Sequence, residues 1–139
     1  MDKCTKQQLA DNMLQYLNDS PTAYHAVENA VMMLKNHAFQ ELKETEKWSL
    51  HAGGRYFVVK NHSCIIAFTV GDGDLAREGF RIIGAHTDSP GLKIKPGACT
   101  VTADGYVKLN VEVYGGAILS TWFDRPLAVA GRVIVKEDG

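Results

Sequence analysis

Along the first forty positions, apolar residues return at helical intervals. Leu9, Met13, Leu14, Tyr16 and Leu17 recur with polar residues between them, which predicts an amphipathic helix. Asn18-Asp19-Ser20-Pro21 breaks the pattern, and Ser20 reads as an N-cap with Pro21 at the first helical position. A second helix is predicted from Thr22 to Asn36, where Tyr24, Ala26, Val27, Ala30, Val31 and Leu34 make one broad face.

Beyond Glu46 the period changes to that of strands. Arg55 to Lys60 and Cys64 to Val70 are two β-rich runs separated by the polar Asn61-His62-Ser63, a hairpin signal. Gly71 to Glu78 reads as a surface loop. A third apolar run, Phe80 to Ala85, reads as a strand leading into His86-Thr87-Asp88. Leu92-Lys93-Ile94-Lys95 alternates and is expected to end at Pro96-Gly97. Thr100 to Thr102 and Tyr106 to Val113 alternate around Ala103-Asp104-Gly105, whose Asp-Gly pair is a hairpin cue. Leu127 to Val135 reads as a further β-rich stretch. Helices early and strands late predict an α/β layer giving way to a separate β-rich unit, with the boundary near Pro90 to Pro96.

Composition narrows the function classes. The 139 residues are 45% hydrophobic and 22% charged, which fits a globular domain with a core of its own. A formal net charge of -1 leaves no electrostatic footprint for nucleic acid or an anionic membrane. No apolar run reaches the roughly 20 residues of a membrane helix, and Met1 to Gln8 lacks the apolar core of a signal peptide. The expected compartment is the cytoplasm. Cys4, Cys64 and Cys99 form no Cys-x-x-Cys pair, so neither a disulfide framework nor a cysteine zinc site is expected. Cys64 opens an apolar run and reads as a buried thiol.

Arg81 to Gly91 carries the sharpest chemistry. An apolar run ends in His86, a carboxylate follows at Asp88, and Pro90-Gly91 turns the chain. In extended backbone, residues two apart face the same side. Asp88 can therefore reach the ring nitrogen of His86 that does not face a metal, fixing its tautomer and raising its basicity. Alone, the pattern also fits a surface turn in which Asp88 accepts a backbone hydrogen bond. His25, His51 and His62 have no second ligand beside them and read as solvated or partly buried. Ser89 lacks the glycine-flanked elbow of a serine nucleophile. Gly115-Gly116 is followed by no Lys-Ser/Thr and is not a phosphate loop.

Three stretches resemble the M18 metallopeptidases. Ile83-Gly84-Ala85-His86-Thr87-Asp88-Ser89-Pro90 with Leu92 to Pro96 looks like that family's first metal-site segment. Tyr114-Gly115-Gly116-Ala117 and Ser120 to Leu127, continued by Gly131-Arg132-Val133, look like its second marker. Ser20 to Ala26 is similar to its N-terminal segment. The resemblance implies that residues 1–91 begin an α/β zinc-exopeptidase domain and that 92–139 begin an inserted β-rich dimerisation domain. It implies His86 as a terminal ligand of a two-zinc site and Asp88 as the catalytic carboxylate clamping its imidazole. The implied reaction removes N-terminal, acidic residues from peptides, and the implied assembly is a dimer building a dodecamer.

The implied site is incomplete within this stretch. His86 is the last histidine, and Glu112 and Asp124 are the only acidic residues between Tyr106 and Arg132. The chain is therefore expected to be an N-terminal part, inactive alone, and no substrate-binding residue is assigned. Another dinuclear zinc hydrolase, a deacylase or a different exopeptidase, shares the His-x-Asp strand end; a non-catalytic assembly module is the reading from another class. Asp124 and Arg125, adjacent on an expected strand, would face opposite sides, which favours structural or interface roles over a catalytic pair.

Overall fold

The computed structural model describes residues 3–137, with the side chains of residues 3, 4 and 75 left aside, so Cys4 lies outside the described side chains. It is a mixed α/β fold. Its contacts divide the chain into two compact units, Met1–Asp88 with Ala130–Gly139, and Ser89–Val129.

The first unit begins with helices α1 (Lys3–Asn18) and α2 (Ala23–Asn36). The N-cap of α2 is Thr22, not the expected Ser20: Thr22 has extended backbone and its hydroxyl accepts from the His25 N–H. Ser20 instead stabilises the interhelical turn, its hydroxyl accepting from Asn29 Nδ2 at 3.1 Å while the same amide donates to the Asp19 carbonyl at 2.9 Å. Tyr16 closes the pair by donating to the Ala26 carbonyl at 2.9 Å. Only part of each apolar face is covered. Ala26 and Val27 are buried, whereas Leu9, Met13 and Leu17 stay more than half exposed.

Three strands follow in the order β1-β2-β3: β1 (Gln40–Glu41), β2 (Arg55–Lys60) and β3 (Cys64–Thr69). β1 runs parallel to β2, and β3 pairs antiparallel with it. The central position of β2 explains why Tyr56, Phe57 and Val58 are all buried although they alternate sides. Tyr56 packs against its cross-strand partner Phe68 with ring centroids 5.6 Å apart, and Trp48 covers Phe68. Phe57, fully buried, lies within 6.0 Å of the Lys35 ammonium of α2, so the opposite face of β2 is roofed by that helix. Burial of a side chain of this size contributes about 1.5–3 kcal/mol.

β3 is an edge strand and is mostly exposed. Cys64 opens it opposite Lys60, at the turn end of the hairpin, and its thiol is exposed instead of buried; Cys99 is also exposed. The hairpin turn itself follows the sequence signal. Asn61 and His62 take φ of 52° and 58°, the left-handed pair that matches the twist of a tight hairpin, and the Ser63 N–H returns to the Lys60 carbonyl. Within the expected loop at 71–78, Leu75–Glu78 forms one helical turn, α3, started by Asp74 accepting from the Ala76 N–H at 3.0 Å.

Two expected strands are absent. Phe80 to Ala85 and Leu127 to Val135 carry no regular structure, and Ile82 and Ile83 are 86% and 100% exposed. Strand assignment requires a ladder partner, and none of the described strands lies beside either run.

The second unit is a hairpin of β4 (Gly91–Val101) and β5 (Val107–Tyr114). Pro96-Gly97 does not end β4. The register shifts between Ile94 and Cys99, so the proline falls in a bulge, where its missing N–H breaks no ladder bond. The Asp104-Gly105 turn forms as expected, with Gly105 at φ 82° and its N–H bonded to the Thr102 carbonyl. A 3-10 turn, Leu119–Thr121, brings Trp122 over Gly91, where an added Cβ would lie 3.3 Å from the indole. Asp124 and Arg125 are in this turn region, not on a strand: Asp124 has φ 54° and Arg125 donates to the Thr121 carbonyl at 3.4 Å.

Candidate functional site

His86 and Asp88 meet as their spacing requires. His86 Nδ1 lies 2.8 Å from the Asp88 carbonyl oxygen and 3.2 Å from Asp88 Oδ1. Both are acceptors, a carbonyl and an ionised carboxylate, so Nδ1 carries the proton and donates. The proton-bearing Nδ1 leaves Nε2 with the lone pair. The His86 side chain is 80% exposed and that of Asp88 47%, so the ring edge bearing Nε2 is open to an incoming ligand.

The intervening Thr87 is half-buried. Its hydroxyl donates to the Ser63 carbonyl at 2.8 Å, tying this segment to the β2–β3 turn. The sequence reading passed over Thr87 and Ser63, since a hydrogen bond between residues so far apart leaves no local signal. The same turn receives Arg132, whose Nη1 is 3.5 Å from the Asn61 carbonyl. Arg132 also stacks on Tyr24, its guanidinium carbon 4.5 Å from the ring centroid.

The other histidines have structural partners or open surroundings. His25 Nδ1 is 2.8 Å from Thr22 Oγ1 within the α2 cap. His51 is exposed, and its backbone N–H donates to Tyr56 Oη at 3.1 Å. His62 lines a groove with Tyr24, Val31, Lys35, Val59 and Arg132, to which His86 and Asp88 do not contribute.

A zinc ion of the kind the sequence resemblance implies fits this donor set at one position only. A neutral imidazole held by a carboxylate through its second nitrogen is the ordinary form of a zinc-bound histidine. Among the described residues, however, no three His, Cys, Asp or Glu side chains converge.

Residues 16–139 match the model of the family described as aminopeptidase I zinc metalloprotease, M18. A Clostridium novyi protein named "Probable M18 family aminopeptidase 2" is 52% identical over 131 residues, 94% of this chain and 30% of its own. A Ricinus communis protein named "Probable aspartyl aminopeptidase" is 48% identical over 127 residues, 91% of this chain and 26% of its own. Among solved structures, Chaetomium thermophilum mApe1 superposes with a TM-score of 0.85 at 38% identity, over 94% of this chain and 30% of its own. The S. cerevisiae mApe1 dodecamer gives 0.77 at 31% identity, over 87% of this chain and 28% of its own. The chain spans about 30% of the length of the curated relatives it matches. With a family model matched from Tyr16 to its last residue, this chain belongs to the M18 peptidase family.

Proposed function

We propose that a polypeptide continuing this chain to the length of its relatives is a zinc-dependent aminopeptidase of the cytoplasm that removes acidic N-terminal residues from peptides. The observation that carries the reading is the His86–Asp88 pair: Nδ1 donates into Asp88 at 2.8 and 3.2 Å and Nε2 is left to bind metal. His86 would hold zinc through Nε2. Asp88 orients the ring and strengthens it as a donor. When bound, a zinc pair supplies Lewis-acid polarisation of a peptide carbonyl and a water of lowered pKa. The acidic preference is supported by the relative named an aspartyl aminopeptidase.

The other ligands and the general base are assigned to the part of the relatives' length that this chain does not span. The 139 residues alone are accordingly proposed to be inactive. Residues 1–91 would belong to the catalytic domain and 92–139 to a dimerisation domain, with dimers building a dodecamer like that of the S. cerevisiae protein. Among the described residues no helix is long and apolar enough to cross a membrane.

The test is release of aspartate, glutamate and leucine from the N-termini of matched peptides by the relative-length protein, before and after chelation. Faster release of the acidic residues, lost with zinc and regained on its return, is the expected outcome. Equal turnover of the zinc-stripped protein would refute the reading.

A further inference from the structure

We draw no further inference here: the strongest candidate, the groove of the first unit lined by α2 and the β2–β3 turn, in which Arg132 stacks on Tyr24 beside His62, carries nothing because nothing in the structure shows what covers it.

Discussion

His86 and Asp88 are linked twice: Nδ1 of the imidazole is 2.8 Å from the carbonyl oxygen of Asp88 and 3.2 Å from its Oδ1. The two contacts do different work. The carbonyl orients the ring whatever side chain stands at position 88, whereas the carboxylate adds negative charge that strengthens Nε2 as a donor. Asp88→Asn in the relative-length protein should therefore leave His86 bound to zinc but weaken affinity and turnover by about 10–100-fold. Chelator competition and initial rates measure this, and unchanged values for both would show that the carboxylate has no supporting role.

Among the described residues, no three His, Cys, Asp or Glu side chains converge. Purified alone, the chain should hydrolyse no aminoacyl substrate in the presence of zinc. Zinc-dependent turnover by this chain would refute the assignment of the remaining ligands to the part of the relatives' length it does not span.

Phe57 is the fully buried side chain of the central strand, with the Lys35 ammonium of α2 6.0 Å from its ring. Phe57→Ala should destabilise the first unit by about 3–5 kcal/mol, because the cavity adds to the lost transfer energy. Chemical denaturation of the relative-length protein reads this out.

β5 shows Val107, Leu109, Val111 and Val113 on one face of a two-stranded ribbon, all exposed. Two strands with an uncovered apolar face invite association. The isolated chain should self-associate at micromolar concentration, and Val111→Lys should reduce this without unfolding the β4–β5 hairpin. Sedimentation velocity checks both; a monomeric chain with a sharp cooperative melt would contradict the expectation.

What the sequence disclosed depended on how local the determining forces are. Helix α2 follows from its spacing of apolar residues, and both hairpin turns follow from residues that accept positive φ, Asn61 and Gly105. The His86–Asp88 contact spans two residues, so alternation along extended backbone sufficed. Where the outcome turns on partners, the sequence misleads. Phe80 to Ala85 has the composition of a strand but lies beside none of the described strands, and Cys64 opens an apolar run but falls on an edge strand at the hairpin's turn end. Pro96-Gly97 carries a stop signal, yet β5 pairs across it and turns the stop into a bulge. The Thr87–Ser63 and Arg132–Tyr24 contacts were hidden for the opposite reason: each joins residues that only the folded chain brings together.

Metal content of the relative-length protein with His86→Ala is the most direct measurement. About two zinc ions per subunit in the parent and about one in the variant, with peptide trimming abolished, is the predicted result. Two ions and undiminished trimming in the variant would contradict the account.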